Sequence, residues 1–270
     1  MKDLSELWTY RALTTNFARR ELKGRYRGSA AGWLWSLANP AATLLIFTLV
    51  FSTIFQRVPP VAGNGRLESY TIYLFIGLVC WNFFNGIVTS SMGALIGAGP
   101  LLKKIRFPAF APVIGNAMSA LVQTGIEFGI LVVVLAFAQN LSWAVLVVPV
   151  VFALLALFSI GLGLMVSVAN VRYRDVGYLV GVAMQFLFYA TAIIYPPEDI
   201  PVETASGIPA RWIMGLNPLG RFVEAARDAL WYGVLPSLTL MLALTAIAVL
   251  TFLIGWAVFQ RSALDIAEDL

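Results

Sequence analysis

Histidine is absent from the 270 residues, and cysteine occurs once. Without imidazole there is no histidine general base, no Ser-His triad and no histidine-ligated metal. Cys80 has no partner for an intrachain disulfide and reads as a small apolar residue within an apolar run. Charge is scarce too. Asp, Glu, Lys and Arg make up 12% of the chain, against about a quarter in a soluble domain. No GxxxxGK[ST] occurs, so ATP is not held through a phosphate loop and ATP-driven work falls to a partner. The polar, charged start lacks the apolar stretch of a signal peptide. Low-complexity tracts and short internal repeats are also missing.

Apolar side chains are abundant instead, at 60% of the chain, and they are gathered into long runs. A bilayer core of about 30 Å needs about 20 helical residues, and a run of about 18 or more marks a spanning candidate. The runs at 34–55, 70–96, 110–137, 144–169, 176–195 and 238–259 qualify. They are continuous rather than alternating. Backbone groups in lipid must be satisfied within the segment, so helices rather than a barrel are expected. The reading is an all-α membrane protein with six transmembrane helices.

Orientation follows from the basic residues. Lys2, Arg11, Arg19, Arg20, Lys23, Arg25 and Arg27 precede the first run. Lys103, Lys104 and Arg106 follow the second, Arg172 and Arg174 the fourth, and Arg261 the last. The opposite loops hold fewer: Arg57, Arg66, Arg211, Arg221 and Arg227. Both termini are therefore expected in the cytosol of a cell whose inner membrane holds the protein. The net charge of +4 reports topology and contact with anionic lipid headgroups, not nucleic-acid binding. Three parts are expected: a cytosolic segment 1–32, a six-helix membrane domain 33–260 and a cytosolic tail 261–270. In the first, Leu4, Leu7, Trp8 and Phe17 give an amphipathic helix that lies in the interface.

Several local patterns stand out. Asn39 and Pro40 fit an N-cap and first helical position, so the first span either starts there or bends there. The loop 100–108 is short, basic and bounded by prolines, and has room for a turn or two carrying Leu101, Leu102 and Ile105. Glu127 is an ionisable residue inside a span. It costs about 3 kcal/mol on insertion scales and marks either a functional site or a hydrogen-bonded helix contact. A proton relay would want a second such group, and none is present. The segment 196–235 is the largest outside the runs. In it, NPLGRFVEAARDALWYG predicts a helix capped by Asn217, opened by Pro218 and closed by Gly233. Leu219, Phe222, Val223, Ala226 and Leu230 form its apolar face. Arg221, Glu224, Arg227 and Asp228 are assigned to the charged face, paired at i,i+3. The stretch 208–216 is expected to form a partner helix that enters the bilayer and returns.

RRELKGRYRGSAAGWLWSLANP, LLKKIRFPAFAPVIGNAMSALV, NVRYRDVGYLV, IIYPPEDIP and LNPLGRFVEAARDALWYG, in this order, resemble the type-2 ATP-binding-cassette permeases. Within them the chain looks most like the subunits that export O-antigen, capsule or teichoic acid. The resemblance runs from about Arg19 to the C-terminus. It implies a homodimer joined to two ATPase subunits, which bind ATP and magnesium, with no cofactor in this chain. It implies that Leu101, Leu102, Lys103, Lys104, Ile105 and Arg106 form a coupling element in a groove of the ATPase. It also implies short re-entrant helices over 196–235, near the exit, carrying Arg221, Phe222, Glu224 and Arg227. The first outer loop is short, which leaves no room for a separate outer domain.

A lipid-linked glycan would need weak, repeated contacts along its path. Phe47, Phe51 and Phe55 recur every fourth residue, and Tyr178, Gln185 and Tyr189 share a helical face. Both sets are candidates for the lining. Lys23, Arg25 and Arg27 are candidates for the carrier's pyrophosphate. Other readings are a type-2 exporter of a small drug or lipid, a passive channel, or a polyprenyl-phosphate enzyme with a metal on Glu198, Asp199 and Glu203. Turn chemistry around Pro196, Pro197 and Pro201 accounts for those acids without a metal.

Overall fold

The computed structural model describes residues 8–25, 28, 32–104, 107–204, 207 and 209–262, without the side chains of Arg25 and Trp33. Helix α1 is Arg11–Arg25 and α2 is Trp35–Phe47, prolonged by a π-helical stretch Thr48–Ile54. Then follow α3 (Tyr70–Leu102), α4 (Phe110–Phe137), α5 (Val148–Arg172), α6 (Val176–Tyr189), α7 (Ala210–Gly215), α8 (Pro218–Leu230) and α9 (Leu238–Ser262). No strand occurs among the described residues. Pro40 lies inside α2, which starts five residues before it at Trp35, so the longer helix of the two expectations is the one formed.

Helix α3 is the axis of the bundle. It is buried along most of its 33 residues, against α4, α5 and α8. Its Tyr70 end is called distal here and its Leu102 end proximal. The distal core joins Tyr73, Phe83 and Phe84 to Phe152 and Phe158 of α5 and Phe222 of α8. A smaller proximal cluster holds Leu95, Phe110, Trp256 and Phe259. Helix α1 and the end of α9 both lie proximally. Thr14 and Ala18 of α1 are buried. A Cβ on Gly115 would sit 2.5 Å from the Cβ of Phe17, so this glycine lets α1 close on α4. The expected interface helix is thus also docked on the bundle.

With apolar lipid all round, helices associate through close packing rather than through exclusion of water. Gly161 and Gly255 provide it between α5 and α9. A Cβ on Gly255 would fall 2.1 Å from the Gly161 carbonyl oxygen. The buried hydroxyls of Ser91, Ser159 and Ser167 donate back to carbonyls of their own helices, which satisfies them where water is absent. Glu127 is buried and accepts from Gln123 Nε2 at 3.2 Å, and the same amide reaches the Ser36 carbonyl of α2 at 3.4 Å. Through Gln123 this pair ties α4 to α2.

Among the described residues five helices are long and apolar enough to cross a membrane, and α6 is a shorter apolar helix. The fifth run was expected to be helical through residue 195. It stops at Tyr189, giving 14 residues, or about 21 Å at 1.5 Å per residue. Pro196 restricts only Tyr195 before it, which does not account for a stop at Tyr189; beyond that stop Ala192 adopts a left-handed φ of 33°. The loop 100–108 is shorter than expected on its first side. Pro100, Leu101 and Leu102 complete α3 instead of forming a separate turn.

Candidate functional site

An α-helix leaves its last carbonyls without partners. Those at the end of α6 and in the turn after it are met by side chains from other elements. Asn217 Nδ2 donates to the Ala190 carbonyl at 3.1 Å and contacts Thr191 Oγ1 at 2.8 Å. Arg227 donates from Nη1 to Ala192 O at 2.9 Å and from Nη2 to Ile193 O at 2.8 Å. The Tyr70 hydroxyl donates to Ile194 O. Together these contacts clasp the unwound end of α6 to α8 and α3. Hydrogen bonds to a charged group contribute about 1.5–3 kcal/mol each, and a buried carbonyl stripped of its partner costs a similar amount.

Arg227 is 3% exposed. This corrects the sequence assignment of Arg227 to the charged face, paired with Glu224. Its guanidinium turns inward and stacks 4.0 Å above the Tyr73 ring. A Cβ on Gly77 would meet its Nη2 at 3.1 Å, so the glycine makes room for it. Burial pushes the guanidinium below its ordinary pKa, and the Tyr73 phenol opposes that shift. The other expected features of α8 are present. Asn217 Oδ1 caps Leu219 N at 3.0 Å, Gly233 has φ 67°, and Leu219, Phe222, Val223, Ala226 and Leu230 are buried. Arg221 and Glu224 pair at 2.9 Å in the open.

The far end of α8 is equally well held. Asn140 Nδ2 donates to the Leu230 and Trp231 carbonyls at 3.1 and 2.9 Å. Trp231 Nε1 donates to Pro60 O at 3.1 Å. Gly63 packs where a Cβ would lie 2.3 Å from the Tyr232 carbonyl oxygen. The short loop before α3 is therefore part of this lock.

Between α7, α8 and the turn after α6 lies a cavity of about 600 Å³, lined by Glu198, Arg211, Arg221, Glu224, Arg227 and Asp228 among others. Arg211 spans it to the Ile200 and Glu198 carbonyls at 2.6 and 3.2 Å. Burial, and then the charge of Glu224, push the Asp228 carboxyl up to about 6. Burial, reinforced by Glu198, raises the Tyr232 phenol above its ordinary value. Asp199 pairs with Arg57 at 3.4 Å. Among the described residues no group of three acids stands close enough to hold a metal ion, which removes the support for a metal on Glu198, Asp199 and Glu203.

The remaining candidates fall elsewhere. Phe47, Phe51 and Phe55 stack in sequence at 5.6 and 6.0 Å, and Phe51 continues to Tyr70 at 5.7 Å. Tyr178, Gln185 and Tyr189 are exposed along α6, which buries no residue at all. Leu101 and Leu102 are half-buried, and Lys103 and Lys104 stand exposed in the turn after them. Lys23 is exposed near the end of α1. Ile105, Arg106, Arg27 and the Arg25 side chain lie outside the described residues, as do Leu4 and Leu7. Sequence reasoning missed Tyr70, Tyr73, Asn140 and the second bond of Asn217. Tyr70 and Tyr73 were hidden in an apolar run, where nothing marks a polar role.

The ABC-2 type transporter profile matches residues 13–231, most of the chain. The chain belongs to the ABC-2 type transporter family. It is similar end to end to the O-antigen export system permease protein RfbA of Myxococcus xanthus, with 27% identity over 98% of both chains. The protein of the same name from Klebsiella pneumoniae is 29% identical over 93% of this chain and 92% of its own. The polysialic acid transport protein KpsM of Escherichia coli is 24% identical over 89% of this chain and 90% of its own. In this ABC-2 type transporter the clasp and cavity lie distally, at the Tyr70 end of α3.

Proposed function

We propose that the chain is the membrane subunit of an ATP-driven exporter that carries a lipid-linked polysaccharide out across the inner membrane. The observation that carries this reading is the similarity along nearly the full chain to permeases named for O-antigen export and polysialic acid transport. ATP and its magnesium bind in a separate ATPase subunit, present in two copies, and the permease acts as a pair of identical chains. The excess of Lys and Arg at the proximal end favours a cytosolic position for both termini and an outer position for the cavity. In this arrangement the turn after α3 meets the ATPase. Lys23, Arg25 and Arg27 receive the carrier's pyrophosphate. The Phe stripe of α2 and the exposed face of α6 line the glycan's path. The apolar surface left bare on α6 supports contact with lipid, substrate or the second chain.

Deleting the gene and restoring it on a plasmid tests the reading. Surface polysaccharide should disappear and return, while the lipid-linked precursor accumulates inside. Normal surface polysaccharide after deletion, with altered sensitivity to small apolar drugs, would instead identify a drug or lipid exporter. Coupling is tested by Leu102→Asp together with Leu101→Asp. Co-purification of the ATPase should be lost while the permease still folds.

A further inference from the structure

We propose that α6 is a lever that pivots about the clasp: its distal end stays fixed to α8 while its proximal end swings. The contacts at the two ends differ in kind. Distally, the Ala190, Ala192, Ile193 and Ile194 carbonyls are held by Asn217, Arg227 and Tyr70. Those donors sit on α8 and α3, whose neighbouring Phe222, Val223 and Tyr73 are fully buried in the core. The clasp is therefore anchored to the part of the bundle least able to move.

Along the rest of α6 no residue is buried. Its contacts with the bundle are apolar and partial, through Val180, Met184, Leu187 and Phe188. The ring of Phe188 meets that of Trp81 at 5.1 Å. Lipid tails replace such contacts at little cost. Carbonyls and a guanidinium separated in apolar surroundings find no replacement. A force on α6 thus opens the apolar seam before it opens the clasp. At the proximal end the turn 173–175 joins α5 to α6, and a Cβ on Gly177 would lie 3.3 Å from Asn170 Oδ1. With a lever of about 21 Å, a tilt of about 10° carries the proximal end about 4 Å. Tyr178 then moves most and Tyr189 least. Arg227 is a positioning residue in this scheme: it fixes the pivot and touches no substrate.

The transport readout of the test rests on the export reading, and the distance readout does not. The full chain with its ATPase subunits is prepared in a Cys80→Ala background with one of two cysteine pairs. The distal pair is Thr191→Cys with Asn217→Cys, whose native side chains touch at 2.8 Å. The proximal pair is Asn170→Cys with Gly177→Cys. Oxidation of the distal pair should leave export at the level of the same variant reduced. Oxidation of the proximal pair should reduce export on the order of tenfold, and reductant should restore it. Export blocked by the distal lock, or unaffected by the proximal one, overturns the lever. Spin labels supply a measure free of substrate and of those substitutions. The distance from a label at Ile96, exposed near the proximal end of α3, is read to labels at Tyr178 and at Tyr189 with and without ATP. A change of several ångströms at Tyr178 with none at Tyr189 supports the pivot, and equal changes or none at all refute it. If the unmodified complex exports no polysaccharide, the export reading fails while the distances still decide the lever.

Discussion

Arg221 and Arg227 occupy one short helix, six residues apart, and the same substitution in each should differ widely in its consequence. Arg221 is exposed and paired with the exposed Glu224. Such i,i+3 pairs contribute about 0.2–0.5 kcal/mol, so Arg221→Gln should shift stability by no more than that. Arg227 is buried and holds two carbonyls at 2.9 and 2.8 Å. In Arg227→Gln the shorter side chain does not reach both, and each buried carbonyl left without a donor costs about 1–3 kcal/mol. The lost stacking on Tyr73 adds about 0.5–2 kcal/mol. Relief from burying a charge offsets part of this sum, leaving a net loss of at least about 2 kcal/mol. In a domain of this size that corresponds to a fall of roughly 4–8 °C in melting temperature. The assay is thermal unfolding of both variants in the same detergent, followed by tryptophan fluorescence. Amide exchange of 190–194 should rise in Arg227→Gln alone. Equal melting temperatures for the two variants would refute the clasp as a stabilising element.

The packing of α5 on α9 predicts that Gly255→Leu forces the helices apart. The overpacking cost is about 1–3 kcal/mol, visible as a lower melting temperature and aggregation on size exclusion. Asp228 has a folded-state pKa raised to about 6, so its contribution to stability is present at low pH and is lost as pH rises through that value. Asp228→Asn should therefore match the wild type near pH 4 and melt higher at about pH 7.5. Cysteines at Tyr178, Gln185 and Tyr189 should react with a membrane-impermeant maleimide during ATP turnover, because their face is exposed in the single chain. Cys80 is buried and adds no background. Complete protection would show that lipid or packing covers the face.

The amino-acid sequence by itself determined the class of the protein, because run length and hydropathy report directly on what crosses a bilayer. It also placed the start of α8 to the residue and its end within two residues, since Asn217, Pro218 and Gly233 act through local backbone geometry. It misjudged Arg227, although a signal was available. At 100° per residue Arg227 stands about 40° from Val223 and about 60° from Glu224, closer to the apolar stripe than to the charged one. Pair spacing alone drew it to Glu224. What only the tertiary structure decided was where α6 ends and what holds it there. The donors for its last carbonyls come from Tyr70 and from Asn217 and Arg227, far away in the chain. Hydropathy sees an apolar run continue to residue 195, but a backbone that leaves the helix in apolar surroundings needs distant side chains to satisfy it. Such partners become visible only when the chain has folded.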